Sequence, residues 1–360
     1  MIAAAAEAGG ALERGPPPAD GVQVALCPSR TSTQMTVQTS PKPRILTVTS
    51  TGLPPERVAE LSAAHPGVDI MATPDTAEAI EAAAAGIAAM IGCPRHIFSD
   101  ALLDTAGPSL RWIHVPGAGC EEVLTPRLLN SEIVLTNGRI IQGPEVADHA
   151  FALLLALTRN LHYILRGRRP SSMPRPLELR GKVALVVGLG GVGMLIAERA
   201  VGFGMKVIGV NPDYVPMVRM FERVVPPECM RDVLPEADVV FCAGPHTAAT
   251  YRMFADPEFA TMKPNAFFIN VSRGQLVDSD ALVEALGRGH LAGVGLDVTD
   301  PEPLPDDHPL RLIDRVVVTP HIAGLSEFNR QRSFKLIKEN IGRFIAGLPL
   351  YNVVNKRLGY

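Results

Sequence analysis

The stretch VALVVGLGGVGMLIAERA, residues 183–200, decides the fold. Its apolar start, Val183 to Val187, reads as a buried strand, and the segment after the glycines reads as an amphipathic helix. Between them Gly188, Gly190 and Gly193 supply the pattern G-x-G-x-x-G, in which each glycine has a mechanical task. Gly188 permits the tight turn, Gly190 lets the backbone approach a pyrophosphate, and Gly193 lets the helix pack close to its strand. The free N–H groups and the dipole at the helix start then favour an anion. Glycines also serve tight packing without any ligand. Strand before and helix after make the phosphate-cradling turn of a dinucleotide site the better reading.

Outward from that turn, apolar strands recur at KVIGVN (206–211), DVVFCAG (238–244), AFFINVS (266–272), GVGLDV (293–298) and RVVVTP (315–320). They predict one continuous parallel sheet. Upstream, from Pro43, RILTVTS, PPERVAELSAAH, DTAEAIEAAAAG and AAMIGC alternate strand with helix, and LRWIHVPGAG and SEIVLTNG add two further strands. This first α/β unit has no dinucleotide fingerprint of its own. A long apolar helix, DHAFALLLALTRNL from Asp148, and a basic, proline-broken connector, RGRRPSSMPRP, lead to the glycine turn. After His321 a helix is expected over Ser326 to Ala346, with Phe334, Leu336, Ile337, Ile341, Phe344 and Ile345 at helical spacing as a core-facing stripe. The organisation expected is a dinucleotide lobe, 148–324, inserted into a substrate lobe, 42–147 plus 325–360.

Length and composition agree with two α/β domains: 360 residues, 47% hydrophobic, suffice for two cores. A net charge of −3, with 34 Lys and Arg scattered along the chain, offers no basic field for nucleic acid. Cys27, Cys93, Cys120, Cys229 and Cys242 are odd in number and widely spaced. That argues against a disulfide framework or a zinc site, and points to no metal and a reducing, cytoplasmic compartment. No uninterrupted apolar run approaches the ~20 residues needed to span a bilayer. Residues 1–41, rich in Ala, Gly, Pro, Ser and Thr, read as a disordered leader, with Met35 as an alternative start.

In open parallel sheets ligands bind beyond the carboxyl ends of the strands, so the polar residues there are the candidates. Arg273 follows AFFINVS, Asp297 lies near the end of GVGLDV with Glu302 in the next turn, and His321 follows VVVTP directly. Such a set suits hydride chemistry on a 2-oxo acid. A guanidinium holds the carboxylate in bidentate fashion. An imidazole, which titrates near working pH, donates the proton to the carbonyl oxygen. A carboxylate on the other ring nitrogen fixes the tautomer and favours the protonated ring, the task read for Glu302. Each residue alone has a bland reading, as a surface arginine, a solvated glutamate or a helix cap; their convergence on one rim carries the inference. His114, His149, His162 and His308 lack that context and are assigned structural or solvent roles.

In this order the motifs GLGGVG, FFINVSRGQLVD, GVGLDVTDPEPLP and VVVTPHIAG resemble those of the D-isomer-specific 2-hydroxyacid dehydrogenase family, over residues 43–355. The spacing of 29 positions from Arg273 to Glu302, and 19 from there to His321, is similar to that of the family's Arg, Glu and His triad. The resemblance implies two Rossmann-like lobes with a cleft between them, a homodimer built through the cofactor lobes, and a small-molecule substrate. It implies that backbone N–H groups of Ala118 and Gly119 grip the substrate carboxylate beside Arg273. Cofactor contacts are implied for Gly191 and Val192 at the pyrophosphate, for Val271, Ser272 and Asp297 near the nicotinamide, and for Gly324. Asn211 stands where NAD-specific members place Asp on the ribose; Asp213 close by would repel a 2′-phosphate. NAD(H) is the expected cofactor, with NADP(H) the alternative. Glu121 stands where many members have Asp, and Asp148 where many have Glu.

Within the family, GLDVTDPEPLP looks most like glyoxylate or hydroxypyruvate reductases. Phosphoglycerate dehydrogenase is the weaker expectation: no regulatory domain follows, and the substrate-lobe loops show no basic cluster for a phosphate. Formate dehydrogenase relatives place Gln where Glu302 stands. A different class, the dinucleotide-sensing C-terminal-binding corepressors, resembles the same scaffold and keeps the triad.

Overall fold

The computed structural model describes residues 41–168, 173–213 and 219–360. All but Pro41 of the leader expected over residues 1–41, and part of the proline-broken connector, lie outside the described residues. Two parallel sheets organise the rest. The first contains β1 (Arg44–Val48), β2 (Asp69–Thr73), β3 (Ala89–Ile91), β4 (Trp112–Val115) and β5 (Val134–Asn137), in the order β2-β1-β3-β4-β5. The second contains β6 (Val183–Val187), β7 (Lys206–Val210), β8 (Arg223–Val225), β9 (Val239–Cys242), β10 (Phe267–Asn270), β11 (Gly293–Leu296) and β12 (Val316–Val318). Its order is β12-β11-β10-β9-β6-β7-β8. The architecture is α/β and Rossmann-like. Strand order reverses between β1 and β3 in one sheet and between β6 and β9 in the other, and such switch points open the crevices in which ligands bind.

The two halves of the sheet pattern differ in how plainly they read. Central strands β6, β9 and β10 are covered on both faces and appear in the sequence as apolar runs, interrupted only by Asn270 at the end of β10. β2 and β8 are edge strands with exposed positions, and the sequence reading passes over both. The helix expected from Asp148 begins at Gly143 and runs to Thr158, because Pro144 is suited to a helix's first turn, where an N–H has no partner to lose.

The closing helix, Asn329–Ile345, returns to the first sheet. Ile337 and Ile341 are buried beside Ile45 and Trp112, and the rings of Phe344 and Trp112 lie 5.4 Å apart. Each such burial contributes about 1.5–3 kcal/mol. Ile345, expected in the same stripe, is exposed: it sits at the last turn, past the sheet. Arg332 fastens the helix to the Gly143–Thr158 helix through Ile141 O (2.6 Å) and the buried Glu145 carboxylate (3.0 Å). Among the described residues, no helix is long and apolar enough to cross a membrane, and no group of three or more His, Cys, Asp or Glu could hold a metal ion.

Candidate active site

The glycine turn has the geometry its spacing implies. Gly188 has φ of +90°, and a Cβ there would come within 2.5 Å of Gly244 Cα. A Cβ on Gly193 would collide with the Gly188 carbonyl, so the Gly191–Gly202 helix sits directly on its turn. A Cβ on Gly190 would instead meet nothing within 4 Å, and no side chain caps the helix start at Gly191 and Val192. Open space beside uncapped amides is what a pyrophosphate requires. Asn211 follows β7, with Oδ1 accepting from Leu189 N (3.1 Å) and Nδ2 donating to Asp213 O (3.1 Å). It thereby braces the turn from below.

At the end of β10, buried Asn270 folds back to shape the next residues. Its Oδ1 accepts from Ser272 N (3.0 Å) and its Nδ2 donates to Arg273 O (2.9 Å). Val271 N donates to Cys242 O, and the Ser272 hydroxyl to Gly244 O. Arg273 then crosses to the first lobe: Nε donates to Glu121 Oε1 (2.6 Å) and Nη1 to Ser272 O (2.7 Å). Its guanidinium packs against Gly119 so closely that a Cβ there would overlap it. Burial works to raise the Glu121 pKa, but the charge and hydrogen bond of Arg273, Glu121's own backbone and Arg95 together hold it below the ordinary value.

The Gly117–Gly119 loop, after β4, is tied down by its carbonyls. Gly117 O accepts from Gly138 N (2.8 Å), Ala118 O from Asn137 Nδ2 (2.6 Å) and Gly119 O from Arg95 Nη2 (2.9 Å). The N–H groups of Ala118 and Gly119 have no acceptor among the described residues. A peptide loop with every carbonyl engaged and two adjacent amides turned away from protein acceptors has the form of a backbone anion-binding concavity.

Beyond β11 and β12 lies a carboxylate–imidazole pair. His321 Nδ1 is 2.6 Å from Glu302 Oε1, and Glu302 Oε2 accepts from Thr299 N (3.4 Å). His321 has a left-handed φ of 53°, costing on the order of 1 kcal/mol. Its N–H holds that conformation by donating to Asp297 O (2.9 Å) and Thr319 O (3.1 Å). Asp297 organises the same loop, accepting from Ile322 N (3.0 Å), Ala323 N (2.9 Å) and Thr319 Oγ1 (2.6 Å). Burial works to raise its pKa, yet hydrogen bonds from His149, Thr319, Ala323 and Ile322 outweigh burial and hold it low. His149 Nε2 lies 2.8 Å from Thr319 Oγ1 and 3.4 Å from Asp297 Oδ1. The fold thus sets that helix face against the Asp297 and Thr319 turns, where His149 is hydrogen-bonded.

The pieces adjoin. Gly274, next to Arg273, lies so close to Thr299 that a Cβ would overlap its carbonyl, which brings the arginine turn against the turn carrying Glu302. A cavity of about 400 Å³ is lined by Asp297, Thr299, Glu302, Leu304, Thr319 and His321. A larger one, about 510 Å³, is lined by Leu103, Arg111, Arg127 and other residues of the first lobe, and contains none of the candidate groups. Gly324 O accepts from Gln142 Nε2 (3.3 Å), placing the residue after the histidine loop against the interlobe helix.

A guanidinium, a loop with two unengaged amides and a carboxylate–imidazole pair thus stand at the carboxyl rims of an α/β fold that also carries the glycine-rich turn. Residues 151–323 match the family described as D-isomer specific 2-hydroxyacid dehydrogenase, NAD binding domain. A glyoxylate reductase of Korarchaeum cryptofilum is 33% identical over 271 residues, 72% of this chain and 80% of that one. A D-3-phosphoglycerate dehydrogenase of Archaeoglobus fulgidus is 33% identical over 260 residues, and the match spans 71% of this chain but only about half, 49%, of that relative. The crystal structure of a D-isomer specific 2-hydroxyacid dehydrogenase family protein from Aeromonas salmonicida superposes with a TM-score of 0.74 at 29% identity, covering 88% of this chain and 99% of that one. The chain belongs to the D-isomer-specific 2-hydroxyacid dehydrogenase family. It is an oxidoreductase acting on the CH–OH group of its donors, with a nicotinamide dinucleotide as acceptor.

Proposed function

We propose that this enzyme reduces a small 2-oxo acid to the D-2-hydroxy acid with NAD(P)H, and runs the reverse, with glyoxylate and hydroxypyruvate as the minimal substrates. The observation that carries this reading is the junction of Arg273 with Gly119, beside two unclaimed amides and next to the turn that holds Glu302 against His321. The substrate carboxylate accepts from Ala118 N–H, Gly119 N–H and the Arg273 fork. Glu121 and the Ser272 carbonyl fix that fork by occupying Nε and one hydrogen of Nη1. His321 Nε2 gives its proton to the carbonyl oxygen as negative charge develops there, while Glu302 holds Nδ1. When bound, the reduced nicotinamide supplies the hydride.

In this reading Gly188, Gly190, Gly191, Val192 and Gly193 hold the pyrophosphate, Asn211 meets the ribose, and Val271, Ser272, Asp297 and Gly324 surround the nicotinamide. Asp213, with its repulsion of a 2′-phosphate, favours NAD(H) over NADP(H). The substrate lobe comprises 42–147 plus 325–360, and the cofactor lobe 148–324. Leu161, Ile164 and Leu165, all exposed on one short helix of the cofactor lobe, support a homodimer through that lobe.

The test is nicotinamide oxidation, followed by its absorbance, with NADH or NADPH and a panel of 2-oxo acids, together with the chirality of the product. Turnover of glyoxylate and hydroxypyruvate, faster with NADH and giving D-glycerate from hydroxypyruvate, supports the reading. Tight dinucleotide binding without turnover of any 2-oxo acid overturns it in favour of a dinucleotide-sensing protein.

A further inference from the structure

The carboxyl rim of the first sheet carries more positive charge than one substrate carboxylate requires. Two neighbours of β4 deliver it: Arg95 follows β3 and Arg139 follows β5, flanking the Gly117–Gly119 loop that follows β4. Arg95 is half-buried and uses Nη2 on Gly119 O, at 2.9 Å; a Cβ on Gly117 would lie 3.1 Å from the same nitrogen. Its guanidinium therefore lies over the loop that Arg273 also touches at Gly119. Arg95 has no ion-pair partner among the described residues, and the Arg139 guanidinium has no acceptor among them. Glu121, the carboxylate against Gly119, is committed to Arg273. Buried Cys120, between the two, feels the surplus: burial first and Glu121 next push its thiol up to about 11, against Arg95, Arg273 and Arg139, which all pull it down.

A fork with one hydrogen bond made and its other donors unclaimed, at the edge of a substrate loop, is built for a planar or tetrahedral oxyanion. We propose that Arg95 is a specificity residue that takes a second anionic group, carboxylate or phosphate, at the far end of the 2-oxo acid. The inference rests on the function proposed above. It extends that function from glyoxylate, which has no distal group, to 2-oxo acids carrying two anionic ends. The substrate-lobe loops show no basic cluster along the sequence; the fold sets Arg95 and Arg139, from the loops after β3 and β5, on either side of the loop after β4.

The experiment compares kcat/KM for 2-oxo acids with and without a distal anion. Glyoxylate and pyruvate serve as monoanions, oxaloacetate and 2-oxoglutarate as dicarboxylates of two lengths, and phosphohydroxypyruvate as the phosphate. A charge-assisted hydrogen bond corresponds to roughly 10- to 100-fold in affinity. The native enzyme should therefore favour at least one dianion over the monoanions by about tenfold or more. In Arg95→Met that ratio should fall toward one, and in Arg95→Lys most of it should be kept. The dicarboxylate and phosphate arms identify which anion is taken. A native ratio at or below one, or a ratio that Arg95→Met leaves unmoved while NADH binding is retained, overturns the role of Arg95. Turnover of no 2-oxo acid at all would instead remove the underlying function.

Discussion

Arg273 joins the two lobes by direct contact: its backbone is set by Asn270 at the end of β10, and its Nε is held by Glu121 from the other sheet. Replacing it with alanine should raise KM for glyoxylate or hydroxypyruvate by roughly 10- to 100-fold, the worth of a charge-assisted hydrogen bond, while NADH affinity stays nearly unchanged. An unchanged KM would remove Arg273 from the substrate. At this scale the sequence is informative wherever a polar residue closes an apolar strand, as Arg273 and His321 do, and as Glu302 does one turn later. It is silent about partners that only folding brings together. Glu121 lies 152 positions from Arg273, and His149 lies 170 positions from Thr319; nothing in a helix pattern distinguishes that histidine from a core residue. Asn270 was hidden for another reason, since an asparagine at the end of an apolar run reads as a turn signal rather than as the brace it is.

Strands and helices follow the same logic of burial. β6, β9, β10 and β11 are legible because both faces are covered and every side chain is apolar or glycine, apart from Asn270. Strand β4 carries a histidine within its fully buried pattern. His114 Nδ1 meets Thr136 Oγ1 at 2.9 Å while Nε2 has no partner, and burial pushes its pKa from 6.5 down to about 4. The unfolded chain thus takes up a proton that the folded strand refuses. Stability from this group is complete above pH 6.5 and is lost as pH falls toward 4. Denaturant midpoints should therefore fall more steeply between neutral and mildly acidic pH in the native protein than in His114→Gln, which keeps a polar contact but cannot titrate. Equal slopes in the two proteins would mean that β4 does not hold a neutral, desolvated imidazole.

Across the whole molecule, two parallel sheets face the same problem of positioning groups at their carboxyl rims, and the chain solves it with contacts between lobes. Arg273 reaches Glu121, Gln142 reaches Gly324, and a Cβ on Gly191 would lie 3.0 Å from Ile140. That a second parallel sheet begins midway along the chain was readable from the glycine fingerprint that appears there rather than at the start. The interlobe joints were not, because each links residues whose sequence neighbours belong to another element. In the proposed reaction these joints hold the substrate grip against the imidazole beyond β12, which donates the proton. The direct measurement is kcat for glyoxylate reduction by His321→Ala, with NADH affinity determined in parallel by fluorescence. A positioned general acid contributes about 10²–10⁴-fold, so kcat should fall within that range while NADH binds as it does to the native enzyme. A His321→Ala enzyme that turns over at the native rate would contradict the account.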